Sequence, residues 1–298
     1  MSLSWASGLR PGEWRESLKA LGGLVGAPRD CVSVELHVAR VVATRLDRKG
    51  QVIIRHEAPA DAPEGESPGW RGMVQALELL LAMGDMRDAR SEIVVSNHFL
   101  RYALVPWRDD VAGEIERLAL VRHTLARLYG AHLEGWEVSV ALGRHGAAAL
   151  AAAIDPELLA SLRAATRAAG LVVQRIEPLL VAGFNQACAG VEAPGFWFAS
   201  VESGRVCLAR IQDDVWQSVR CQRIGDDWKA ELPVILAREL LLEEGSPATL
   251  PVFVHAPSAD GRGFVAGQWV AEGLRLSGDA SGQGAPRQLE GAPAEARS

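Results

Sequence analysis

Lysine is almost missing from this chain. It occurs only at Lys19, Lys49 and Lys229, and the net charge is −6. No surplus of positive charge exists to neutralise phosphates, so a general nucleic-acid binder is excluded. Long apolar runs are also absent. The longest, Pro178 to Val191, is interrupted by Asn185 and Gln186, short of the ~20 apolar residues that span a bilayer. Direct membrane insertion is therefore not expected. The opening residues, Met1 to Ser17, lack a basic stretch followed by an apolar one, so no export signal is expected. The cysteines, Cys31, Cys188, Cys207 and Cys221, form no C-x-x-C pair. They read as buried free thiols in a reducing cytoplasm.

Catalytic signatures are missing too. There is no G-x-x-x-x-G-K-[ST] and no G-x-S-x-G. The histidines lack metal-ligand spacing such as H-x-x-x-H, so each reads as a surface or internally satisfied residue. The paired acids Asp109-Asp110, Asp226-Asp227 and Glu243-Glu244 fall at helix ends or turns, where capping or solvation suits them better than proton transfer.

What is present is an ordinary globular composition, 48% hydrophobic and 23% charged over 298 residues, long enough for two lobes. "VSVELHVARVVATRLD" and "QVIIRHEAPA" are rich in β-branched residues around the turn "DRKG", which predicts a meander of two or three antiparallel strands. Trp70, Met73, Leu77 and Leu80 follow at helical spacing. "SNHFLRYALVPW" predicts a hairpin from Ile93–Val95 to Phe99–Val105, stopped at Pro106. Asp109 or Asp110 would cap the next helix. "WEVSVAL" and "AALAAAI" read as strands. Asp155, Pro156 and Glu157 mark a helix start and Gly170 its stop. After the crossover "VEAPG" come three meander strands, 196–201, 205–211 and 215–223, then a helix over 227–244 that Pro233 must kink or begin. A strand follows at 250–255. An antiparallel meander, a helix and another strand thus occur twice.

That order resembles the actin-like fold, and more closely the cytoplasmic assembly proteins of the PilM type (type IV pilus) and GspL type (type II secretion). The similar stretches are "EIVVSNHFLRYALVPW", "RDDVAGEIERLALVRHTLARLYG", "AAAIDPELLASLRAATRAAGLVVQRIEPLLVAGFNQ" and "FWFASVESGRVCLARIQDDVWQSVRCQRIG". The resemblance covers roughly Cys31 to His255. It implies an α/β chain of two actin-like (ribonuclease H-like) lobes, mixed sheets flanked by helices. The expected division is an N-terminal extension over 1–30, a first lobe over 31–190, a shortened second lobe over 191–276 and a disordered tail over 277–298.

Actin-like ATPases cradle phosphates on two hairpins, one per lobe, with an Asp for the metal and Gly for close backbone approach. Here the first hairpin has no Gly and presents Glu35, His37 and Arg40, and Leu36 to Ala39 would crowd a phosphate. The second retains Glu202-Ser203-Gly204. The paired-Gly turn that the family places after the last strand is replaced by "HAPSADGRG". No cofactor, no metal and no catalytic residue are expected. Glu35, Glu202, Ser203 and Gly204 are remnants of a nucleotide site. The resemblance implies a non-catalytic, cytoplasmic scaffold that docks the cytoplasmic segment of an inner-membrane assembly protein. Arg101, Tyr102, Trp107 and Trp136 are the candidate docking residues, and packing within the lobe is the alternative role for them. The second functional reading is an ATP-binding protein or ATPase using Glu35, Glu202 and Gly204 with magnesium.

Overall fold

The computed structural model describes residues 30–61, 69–111, 113–141, 144–187, 191, 193–242 and 250–256, with the backbone of strands at 264–266 and 269–274. The expected extension before Asp30, the glycine turn at 257–263, Cys188 and the tail lie outside the described residues.

The first sheet begins with β1 (Cys31–Leu36), β2 (Arg40–Leu46) and β3 (Val52–Pro59). In β1 the alternate residues Val32, Val34 and Leu36 are buried, as a strand with one face on a core requires. Helix α1 (Arg71–Ala82) buries Met73, Leu77 and Leu80, and α3 (Pro156–Ala168) packs beside it. Asp155 starts α3 as expected, its Oδ1 accepting the Glu157 N–H at 2.8 Å. Strands β4 (Arg90–Val95) and β8 (Val172–Pro178) complete the order β3-β2-β1-β4-β8, the first two pairings antiparallel and the last two parallel.

The second sheet repeats this plan. Strands β9 (Gly195–Glu202), β10 (Arg205–Gln212) and β11 (Val215–Gln222) form the meander, and β12 (Val252–His255) lies parallel to β9. Strand β14 (Trp269–Leu274) joins parallel to β12, with β13 (Phe264–Ala266) outside it. The order β11-β10-β9-β12-β14 matches the first sheet position for position. Helix α5 (Trp228–Leu242) covers one face through Leu232, Ile235 and Leu236, with Pro233 inside it. Between the sheets runs α4 (Leu179–Ala187). Its Phe184 ring lies 4.5 Å from Trp216 and 5.7 Å from Phe198, so one apolar core runs from the first sheet into the second.

Three expectations are corrected. The hairpin at 93–105 does not exist. Both edges of β4 are taken by β1 and β8, so the chain turns through a 3-10 segment (Asn97–Phe99) and β5 (Leu100–Val105) leaves for a separate sheet. That sheet has the order β5-β7-β6, from β6 (Glu137–Ala141) and β7 (Ala149–Ile154), and packs on α2 (Glu114–Tyr129). Neither Asp109 nor Asp110 caps α2. Asp109 accepts from Trp107 Nε1 and Asp110 pairs with Arg108, while Glu116 reaches back to the Gly113 N–H. Finally, Cys207 and Cys221 face each other across β10 and β11 and are disulfide-bonded rather than free. Cys31 is a free thiol, and burial pushes its pKa up to about 11.

Candidate inter-lobe functional site

Ligands of open α/β sheets gather at the carboxyl ends of the parallel strands. In this chain those ends, of β1 and β4 on one side and β9 and β12 on the other, face one another across the lobe junction. The turn after β1 is His37-Val38-Ala39, closed by the His37 N–H donating to Arg40 O at 2.9 Å. It has no glycine, so side chains project where a phosphate cradle needs bare backbone. The turn after β9 is Ser203-Gly204, and Gly204 takes a φ of 75° that other residues adopt at a cost.

The two turns are tied together. The His37 ring lies 3.3 Å from Glu35 Oε2 and 3.9 Å from Glu202 Oε1. Burial disfavours its charge, but the Glu202 and Glu35 carboxylates outweigh that and push the His37 pKa up to about 9. Burial likewise opposes ionisation of Glu35 and Glu202, yet His37 holds both carboxyls below their usual range. At neutral pH an imidazolium therefore sits between two carboxylates, with a net charge of about −1.

Asn97, wholly buried, joins the same knot. Its backbone N–H donates to Glu202 Oε2 at 2.9 Å, and its Nδ2 donates to Ser200 Oγ at 3.1 Å. Its Oδ1 accepts from Tyr102 Oη at 2.6 Å and from the Leu180 N–H at 3.0 Å. The last bond satisfies a donor in the first turn of α4 that has no intrahelical partner. His98 Nε2 donates to Ser203 O at 3.0 Å, and Arg205 Nη1 to Asn97 O at 3.4 Å. Under this knot lies His255, 1% exposed, with neither ring nitrogen hydrogen-bonded. Burial depresses its pKa to about 4, so the ring is neutral. Helix α4 presses on it: a Cβ at Gly183 would stand 2.7 Å from Nδ1.

This arrangement does not fit a magnesium–nucleotide group. Glu202 Oε2 accepts from the Asn97 N–H and Oε1 faces the His37 ring at 3.9 Å, and the first turn offers side chains instead of free N–H groups. No group of three or more His, Cys, Asp or Glu suited to a metal ion occurs among the described residues.

The four candidate docking residues lie on or beside the small sheet. Arg101 donates to His98 O and Leu100 O, and its guanidinium sits 5.8 Å from the Trp136 ring and 6.0 Å from that of Tyr129. Trp107 is 39% exposed, with its ring centroid 4.4 Å from that of His145. Tyr102 is corrected: at 2% exposure, with its hydroxyl spent on Asn97, it presents nothing to a partner. Sequence reasoning missed Asn97, Ser200, Arg205 and His255. Their only signal was polarity at strand ends.

No family model matches the sequence, and no curated protein matches it. Solved structures do. One is the cytoplasmic domain of EpsL, an inner-membrane component of the type II secretion system of Vibrio cholerae. It overlays with a TM-score of 0.52 at 15% identity, over 82% of this chain and 90% of that one. Another is the PilM–PilN type IV pilus biogenesis complex, with a TM-score of 0.53 at 16% identity over 76% and 81%. A third, from Bacteroides thetaiotaomicron VPI-5482, has an actin-like ATPase fold and unknown function, with a TM-score of 0.49 at 9% identity over 78% and 83%. Together with the repeated strand order, the likeness gives the fold as actin-like. Among the described residues no helix is long and apolar enough to cross a membrane.

Proposed function

We propose that this actin-like chain is a non-catalytic cytoplasmic scaffold in a pilus-biogenesis or type II secretion-like assembly, with residues 31–190 and 191–276 as its lobes. The observation that carries the reading is the filled junction. Where an actin-like ATPase holds phosphate, His37 lies between the Glu35 and Glu202 carboxylates and the Asn97 N–H donates to Glu202. A phosphate entering there must displace His37 and Asn97 from Glu202, a largely buried carboxylate that would be left without its partners. The two structural neighbours lend support, one being the cytoplasmic part of an inner-membrane component and the other a complex of two pilus-biogenesis proteins.

The partner in this reading is the cytoplasmic segment of an inner-membrane assembly protein, laid as a short helix or extended peptide against one lobe. Trp107, Trp136 and Arg101 beside the small sheet are the anchors we assign to it, since aromatic and Arg side chains dominate such contacts. One observation favours the competing nucleotide reading: Glu202 Oε1, His98 Nδ1 and both His255 nitrogens have no hydrogen-bond partner.

Calorimetric titration with ATP and magnesium separates the two. The scaffold reading expects no heat of binding. Micromolar affinity that disappears in Glu202→Ala would overturn it. For the docking face, Trp107→Ala with Arg101→Ala should weaken partner capture at least tenfold. Unchanged capture would move the partner elsewhere.

A further inference from the structure

Helix α5 is apolar on both sides, although only one side meets the second sheet. Leu232, Ile235 and Leu236 are buried, while Ala230, Val234, Ala237 and Leu241 face solvent. Val234 is 70% exposed and Leu241 87%. These four residues are spaced four, three and four apart, the period of a two-stranded helical seam. Isolated exposed apolar residues are commonplace, but a continuous stripe at this period marks an interaction face.

We propose that this stripe is the contact by which a second copy of the chain pairs, α5 against α5 in antiparallel orientation about a two-fold axis. Three features select that occupant. The axis places Ala230 opposite Leu241 of the second copy and Val234 opposite Ala237, so each small residue meets a large one and the layers fill. A parallel pair would stack alanine on alanine and leave gaps. Next, Glu231 and Arg238 are exposed and flank the seam on the same side, seven residues apart. The same axis brings each Glu231 to the Arg238 of the second copy, an opposite-charge pair twice over. Both side chains have capacity left for this. Glu231 accepts from the Gly225 N–H, and Arg238 donates to Gln222 Oε1 and stands 3.6 Å from Glu239 Oε1, yet a guanidinium has five donors. Last, antiparallel helices oppose their macrodipoles favourably. One helix pair of this length buries close to or below the roughly 1,000 Å² that marks stable interfaces. The dimer is therefore concentration-dependent, and the proposal does not rest on the scaffold reading.

Sedimentation of the full chain from about 10 μM to about 500 μM tests it, a range that brackets a mid-micromolar dissociation constant. The wild type should shift from monomer toward dimer. Val234→Glu with Leu241→Glu should stay monomeric with an unchanged melting temperature, since both side chains are exposed. Arg238→Glu alone and Glu231→Arg alone should each weaken pairing at least tenfold. An equimolar mixture of those two single variants should recover the wild-type affinity, because every cross-axis charge pair is then opposite again. A wild type that remains monomeric overturns the proposal. So does a double glutamate variant that pairs as well as the wild type, or a mixture that fails to recover.

Discussion

Replacing His37 by glutamine removes the positive charge between half-buried Glu35 and buried Glu202 and leaves the two carboxylates without it. The size of the effect follows from the pKa. His37 rises from an ordinary 6.5 to about 9 in the folded protein. At about 1.4 kcal/mol per unit, that corresponds to roughly 3 kcal/mol of stability held by the charged ring. The sign is fixed by linkage. A raised folded pKa gives stability that is fully present below 6.5 and lost as pH climbs through 9. Urea unfolding of wild type and His37→Gln, near pH 6 and near pH 10, measures it directly. The variant should lose about 3 kcal/mol near pH 6, about 2 kcal/mol near pH 7.5, and close to nothing near pH 10. An equal loss at both ends of the range would refute the ion-pair account and reduce His37 to a packing residue.

Gly183→Ala should destabilise by about 1–3 kcal/mol, because its Cβ would meet the His255 ring at 2.7 Å and that ring is enclosed. A melting temperature within error of the wild type would mean α4 can shift away. His255 carries a depressed pKa of about 4, so its contribution to stability is present above pH 6.5 and lost as pH falls through 4. His255→Phe replaces two unbonded nitrogens with carbon and should hold or raise stability at neutral pH. It should also flatten the decline between pH 6.5 and 4. If the variant unfolds in acid as steeply as the wild type, the decline originates elsewhere.

The two meanders were legible from their β-branched and aromatic strands, fully buried in β9 and alternating in β1. Val32, Val34 and Leu36 alternate with half-buried neighbours, and the turns at 47–50, 203–204 and 213–214 carry Gly or Asp. The α3 start was legible because Asp155-Pro156-Glu157 states three local preferences at once. Pairing between strands is a different matter. Neighbours in sequence pair only when an edge is available, and β4 had none, a fact set by β8 some eighty residues later. The disulfide shows the same limit at finer scale. From the tight turn Asp213-Asp214, uninterrupted counting sets Cys207 opposite Arg220. A bulge between Arg210 and Ile211 shifts the register by one residue and brings Cys207 to Cys221. The lobe junction was half legible. Glu35 and His37 could be named from the glycine-free first turn and Glu202 from the retained Glu202-Ser203-Gly204, but their pairing with each other needed the two lobes in place. Asn97 looked like any turn asparagine.

Asn97 has a mechanical consequence. Through its own groups it grips Tyr102 of the small sheet, Leu180 of the helix between the lobes, and Ser200 and Glu202 of the second lobe. The chain segment that leaves the first sheet is thereby pinned to the second at the junction between them. Three elements are so tied at a single buried amide, and separating the lobes there must break several hydrogen bonds at once.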